Sequence, residues 1–215
     1  MVYLPTAFTE TRTEVLIAHI ERYEFGLLVS QGGPGLTNSG LIASQIPFLV
    51  ERGEGRLLLQ GHLARPNPQL ADLEGGGEAL AIFAGPHAYI SPSWYEAGPS
   101  VPTWNYAAVH AYGAARTIAD PDWLRALLRR LSERHEAREP APWRMEDLPA
   151  AYLAGMLNGI VGVEIAVTRL EGKFKLSQNR PAADRPRIIA ALEQRDDPES
   201  QAVARLMRER EPAAE

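Results

Sequence analysis

Apolar residues recur along this chain with two periods, one helical and one extended. Leu16, Ile17 and Ile20 share a helical face, and Thr11 with Glu14 forms a capping box, which predicts a helix from Thr11 to about Tyr23. Residues 25–30 form a short apolar run ending in Gly32, Gly33, Pro34 and Gly35, the pattern of a strand entering a loop. A second strand is predicted over about 40–51, with Leu41, Ala43, Ile46, Phe48 and Val50 on buried faces and Pro47 at a bulge or edge. Gly53 and Gly55 turn the chain into a third strand over 56–63. This opening predicts an antiparallel meander rather than a βαβ array.

The run Arg65, Pro66, Asn67, Pro68 reads as a turn opening a short helix through Leu73, ended by Gly75 to Gly77. Strand pattern resumes over 79–84. Residues 85–102, rich in Pro, Ser, Gly and aromatics, read as an ordered functional loop with strand at Tyr89 and Ile90. Residues 106–117 alternate as a barrel strand does, with Gly113 at a bend. The clearest helix is 120–138, with Asp120 as N-cap, Pro121 at its first position and Leu124, Leu127, Leu128 and Leu131 along one face. A further helix is predicted at 148–157. Residues 160–170 and 172–176 then form a strand hairpin turned at Glu171 and Gly172, and 184–210 is two helices broken by Pro198.

The length of 215 residues and 45% hydrophobic content suit one domain of the α+β class built on a small β-barrel. No apolar stretch approaches the roughly 20 residues that cross a bilayer, and no export signal opens the chain, so the expectation is a cytoplasmic protein without a membrane partner. With no cysteine, disulfides, thiolate metal sites and thiol nucleophiles are excluded. A net charge of −5 argues against a broad grip on nucleic acid. Arg125, Arg129 and Arg130 lie close on one helix, but Glu133 and Glu136 share it, which reads as a solvated face.

Walker, dinucleotide, zinc-protease and hydrolase-elbow motifs are all missing. His19 and His135 fall on helices in packing or surface positions. His62, His87 and His110 fall on or beside strands among polar and aromatic residues, which makes them the histidines with chemical potential.

Four strings carry a resemblance: ASQIPFL (43–49), GHLARPNPQ (61–69), GPHAYISPSWY with VPTWNYAAVHAY (85–112), and GVEIAVTRLEGKFKLSQNR (162–180). They resemble the PaiB-type negative transcriptional regulators. The resemblance implies an antiparallel Greek-key split β-barrel of the FMN-binding kind, related to pyridoxamine-phosphate oxidases, with surrounding helices and a helical C-terminal tail. It implies residues 1–180 as the flavin domain, 181–215 as an extension packed on or near it, and a homodimer with flavin at the interface. The chain departs from the family pattern at Gln45, where a His is expected, and at Phe174, where a Trp is expected.

A flavin needs a phosphate cradle, an apolar bed and donors at the ring's polar edge. Arg65 and Asn67, with His62 beside them, are placed to cradle the phosphate; alternatively Arg65 pairs with an acid and Asn67 caps the helix. Ser44, Gln45 and Ile46 would address the ring from a strand, or simply pack there. Trp104, Asn105 and Tyr106 combine stacking with an amide, and His110 shares the face of Tyr106. Lys173, Lys175, Ser177 and Gln178 end the last strand, where alternate lysines either face the flavin or protect an edge. Three functions follow: an FMN-binding regulator acting on transcription indirectly, a flavin-dependent oxidoreductase with His87, Tyr89, Trp94, Tyr95 and Trp104 as pocket walls, or a haem protein with His62, His87 or His110 as axial ligand. No helix-turn-helix is recognisable in the tail, which weighs against direct DNA contact.

Overall fold

The computed structural model describes residues 2–32, 40–53, 55–96 and 98–210; the loop predicted at 33–35 lies outside them. Among the described residues the order is β1 (Thr9–Glu10), α1 (Thr13–Arg22), β2 (Phe25–Gln31), β3 (Leu41–Pro47), β4 (Leu49–Gly53), β5 (Arg56–Ala64), α2 (Gln69–Glu74), β6 (Glu78–Ile90), β7 (Thr103–Ile118), α3 (Pro121–Glu136), α4 (Ala150–Asn158), β8 (Ile160–Lys175), α5 (Asp184–Glu193) and α6 (Pro198–Glu209). The strands follow the order β3-β2-β6-β7-β8-β5-β4, with β1 on β8. Pairing is antiparallel in β2–β3 (Phe25 opposite Pro47), β2–β6 (Leu28 opposite Ala81), β4–β5 (Leu49 opposite Gln60) and β5–β8 (His62 opposite Gly162).

Five expectations are corrected. The meander holds only within β2–β3 and β4–β5, because β2 pairs onward with β6 and β5 with β8. The strand expected over 40–51 is two, broken at Phe48, whose N–H leaves the ladder to donate to the Glu24 carbonyl (2.9 Å). The segment expected to be loop after Ala84 continues β6 to Ile90. Glu171 and Gly172 are not a turn: β8 runs straight through them, and Gly172 is where Glu10 of β1 pairs. A glycine after a charged residue reads as a turn locally, yet it serves close approach equally well. Helix α1 also starts two residues later than the capping box suggests.

The chain forms two compact units, and β6, β7 and β8 each run from one into the other. Unit two comprises Ile20–Phe83 and Ala111–Leu170. Within it Leu28, Leu59 and Phe83 are fully buried, and Phe83 meets Phe48 edge-on at 5.5 Å between ring centres. Asp120 caps α3 by accepting the Asp122 N–H (2.9 Å), and Leu127 and Leu131 pack with Leu49. Buried Glu164 accepts from Gln60 Nε2 (2.7 Å) and Arg116 Nε (2.8 Å), while Arg130 donates to Gln60 and Glu51. Two glycines matter here for space. A Cβ at Gly61 would stand 2.9 Å from the Pro47 carbonyl oxygen, so β5 passes β3 only without a side chain; one at Gly113 would stand 2.0 Å from the Ala166 carbonyl oxygen. Gly113→Ala should therefore cost on the order of 3 kcal/mol, since backbone must move to admit the methyl. A urea midpoint within error of wild type would contradict this.

Unit one comprises Met1–His19, Ala84–His110 and Glu171–Glu215. Phe174 is buried between the edge of His19 (5.3 Å) and the Arg210 guanidinium (4.2 Å), so the Trp-to-Phe departure concerns core packing. The tail is two helices, with Pro198 opening α6 behind the cap of Asp197, which accepts the Ser200 N–H (2.7 Å). Buried Arg185 donates to the carbonyls of Leu176 (2.7 Å) and Met207 (3.2 Å). Asp184 accepts the Glu96 N–H (2.9 Å) and Glu199 that of His87 (3.1 Å).

Candidate functional site

The fourteen residues singled out from sequence fall into two sets, one in each unit. In unit two, Asn67 donates to Ser44 Oγ (3.0 Å), and its Oδ1 accepts the Gln69 N–H (2.9 Å), so it ties the α2 turn to β3. Arg65 donates through Nε to the Asn158 carbonyl (2.6 Å) and through Nη2 to that of Ile160 (3.1 Å). Its partners are thus the carbonyls that end α4 and open β8, not the acid considered above. Ile46 is buried, Ser44 half-buried and Gln45 exposed. The register puts His62 on the sheet face of Gln60 and Glu164, whose network Arg130 of α3 joins.

In unit one, β7 and the end of β8 bring cations and rings together. Lys173 Nζ lies 5.6 Å from the ring centre of Tyr106 and 5.2 Å from that of Tyr3. Lys175 Nζ donates to the Trp104 carbonyl (2.9 Å) and to Thr103 Oγ1. Burial, then Lys173, then Arg180 hold Lys175 below the ordinary lysine range. Trp104 is 53% exposed, with Tyr89 (5.9 Å) and His87 (6.0 Å) beside its ring. Among the described residues none of Lys173, Lys175 and Arg180 forms an ion pair with a carboxylate. Uncompensated cations amid open aromatic rings suit a planar, anionic ligand.

Asn105 and Ser177 take a different part. Asn105 is fully buried, and the two side chains bond each other, Asn105 Nδ2 to Ser177 Oγ at 3.0 Å and Ser177 Oγ to Asn105 Oδ1 at 3.2 Å. Ser177 holds a φ of 62°, and Gln178 braces the same turn by donating to the Phe174 carbonyl (2.5 Å) and accepting the Leu176 N–H (2.7 Å). These three shape the exit from β8 that carries Lys175 to Arg180. Trp94 and Tyr95 are covered, by Arg195 (5.2 Å) and Arg180 (4.3 Å) respectively. Sequence reasoning did not single out Tyr3 or Arg180. Tyr3 is far from β8 in the chain and only the tertiary fold brings it there, whereas Arg180 follows β8 through the Ser177 turn.

Burial lowers the pKa of His62, and burial partly offset by the Glu171 carboxylate lowers that of His110. The unfolded chain then binds more protons below about pH 6.5, so these groups' contribution is full above that pH and is lost as pH falls through it. A His62→Gln/His110→Gln variant should lose less stability than wild type between roughly pH 6.5 and 5. Parallel stability–pH curves would sink the assignment.

A cavity of about 500 Å³ lies elsewhere in unit two, walled by Arg129, Glu133, Glu136, Trp143 and Arg144 among others, and holds none of the fourteen residues. Its groups are partly spoken for: Arg129 bonds Glu146 (3.0 Å) and Glu136 accepts the Trp143 N–H (2.8 Å). Among the described residues no set of three metal-ligating side chains converges, and no helix is long and apolar enough to cross a membrane.

The architecture matches solved flavoproteins. The flavocytochrome Anf3 of Azotobacter vinelandii superposes with a TM-score of 0.57 at 13% identity, covering 80% of this chain and 72% of that one. The FAD and heme binding protein of Mycobacterium smegmatis superposes at 0.56 with 18% identity, covering 85% and 79%. The fold is therefore the α+β split barrel seen in flavoproteins. A profile of the family described as "Putative FMN-binding domain" matches residues 2–169, and this chain belongs to that family. It is 35% identical over 211 residues to the protease synthase and sporulation protein PAI 2 of Bacillus subtilis, spanning 97% of this chain and 98% of that protein. An uncharacterised protein of Emericella nidulans is 31% identical over 245 residues, spanning 97% of each.

Proposed function

We propose that this protein binds FMN on the face formed by Trp104, Tyr106, Lys173 and Lys175 and acts in the cytoplasm as a regulator of the PaiB type, with an indirect effect on transcription. The observation that carries it is the group of three cations that form no ion pair with a described carboxylate, beside exposed rings, in a chain of net charge −5. FMN, when bound, would supply redox chemistry; the chain's own residues bind it, orient it and present positive charge. Of the unit-two set, Gln45 and Arg65 are exposed and free to add contacts. His110 stands on β7 in the same unit as the proposed face, its pKa lowered by burial.

An indirect effect is supported by the tail, where Arg185 serves two carbonyls, Arg208 pairs with Glu193 (2.7 Å) and Arg187 lies 3.8 Å from Glu96. Little of its charge is left for phosphates. The assembly we propose is a homodimer with flavin at the interface, supported by Phe25 (62% exposed) and Leu41 (76% exposed) on β2 and β3. Residues 1–180 are taken as the flavin domain and 181–215 as its extension. A flavin-dependent oxidoreductase is the second reading, favoured by the open His87–Trp104–Tyr89 array.

The deciding experiment is an absorbance spectrum before and after adding FMN, with and without haem, coupled to size exclusion. Flavin bands co-eluting with a dimer are expected. Absence of retained or titratable flavin would remove the reading, and a Soret band in its place would move haem binding forward.

A further inference from the structure

The outer stripe of α3 and the segment that follows it enclose the cavity of about 500 Å³ in unit two. Arg129, Ser132, Glu133 and Glu136 recur at helical spacing and form one wall, and residues 142–146 form the other. The second wall is fastened at three points. Glu136 accepts the Trp143 N–H (2.8 Å), Arg129 Nε donates to Glu146 Oε1 (3.0 Å), and Met145, 4% exposed, packs in one cluster with Leu124, Leu153 and Leu157. These ties hold the segment off the helix, so the space between them is built into the fold. Its size lies within the roughly 300–1,000 Å³ of small-ligand pockets.

The ties leave a carboxylate, a guanidinium and an indole over. The Glu133 side chain on the helix wall, and those of Trp143 and Arg144 on the other, form no hydrogen bond or ion pair with a described residue. Arg144 pulls on Glu146 only at longer range, that carboxylate being bonded to Arg129. Trp143 is 46% exposed and offers a flat apolar surface. We infer that the cavity binds a free α-amino acid with an aromatic or large aliphatic side chain, its ammonium on Glu133, its carboxylate on Arg144 and its side chain against Trp143. An amine alone would leave Arg144 unmatched, and an acid alone would leave Glu133 so. The site shares none of the fourteen residues of the flavin reading and does not rest on that reading.

Both charged residues are exposed, where an ion pair contributes little, so a weak Kd of about 0.1–1 mM is expected for L-phenylalanine. The test is a ligand-observed NMR titration of the full chain with L-phenylalanine and two analogues that each lack one charge, 3-phenylpropionate and phenethylamine. Each analogue should bind about fivefold weaker than the amino acid. Glu133→Gln should weaken L-phenylalanine about fivefold and leave 3-phenylpropionate unchanged, while Arg144→Met should weaken L-phenylalanine by a similar factor and leave phenethylamine unchanged. Trp143→Ala should weaken all three, with Trp143→Phe recovering part. Melting temperatures of the two charge variants should match wild type, since both side chains are exposed. Phenethylamine binding as tightly as L-phenylalanine would make this a cation site and overturn the assignment. So would a loss in Glu133→Gln that is equally large for 3-phenylpropionate, or no binding of L-phenylalanine at about ten times the expected Kd.

Discussion

Replacing Lys173 and Lys175 together by methionine should lower FMN affinity at least about a hundredfold, the largest effect expected of any change that leaves the fold alone. A hydrogen bond to a charged group contributes roughly 1.5–3 kcal/mol. Two lost together, at about 1.4 kcal/mol per tenfold, give roughly two to four decades. Neither lysine is paired with a described carboxylate, and methionine keeps most of the apolar stem, so the melting temperature should scarcely move. Fluorescence titration beside a thermal melt separates the two. An affinity loss under threefold would show that the flavin lies elsewhere.

The same lysines give binding a pH dependence of definite sign. Lys175 loses its proton below the ordinary lysine range, so the positive charge that holds an anion fades earlier as pH rises than an exposed lysine's would. Affinity should fall through the alkaline range, with proton uptake accompanying binding there. For folding the sign is opposite: the unfolded chain holds this proton more tightly, so the penalty is present at neutral pH and is relieved as pH rises through the lowered value.

Phe83→Ala should produce the largest loss of stability, about 3–5 kcal/mol. The ring is fully buried and packs edge-on against Phe48, and the space over Gly26 is already filled, a Cβ there lying 2.8 Å from the Phe83 ring. Tight surroundings relax little into a cavity, which places the cost toward the upper end. At about 2–4 °C per kcal/mol for a chain of this size, the melting temperature should drop by roughly 10 °C. Phe83→Leu should recover at least half. A drop of under 3 °C would show that this part of the core collapses freely around the gap.

Local chemistry announces itself where a residue acts on its neighbours. Asp120 and Pro121 start α3 as capping rules require, Pro198 opens α6, and the leucines of α3 lie at helical spacing on the side that packs. The cationic and aromatic residues of the proposed site also stand out in the sequence, because Trp104, Tyr106, Lys173 and Lys175 lie in dense, unusual strings. What each residue does is less plain there. Asn105, Ser177 and Gln178 have the donors a cofactor needs, yet their bonds are with one another and with the β8 turn. A polar side chain carries the same hydrogen-bonding groups whether it meets a ligand or its own backbone, and burial decides between them.

By itself the sequence determined the α+β class, most of the element order, the absence of thiol chemistry and the strings that mark the family, because these follow from local propensity, period and composition. Tertiary structure alone decided that Gly172 lies in a strand, that β2 reaches β6, that Tyr3 meets Lys173 and that Tyr95 meets Arg180. Strand order and such meetings depend on contacts between residues far apart in the chain, and no local pattern encodes which distant partner will close them.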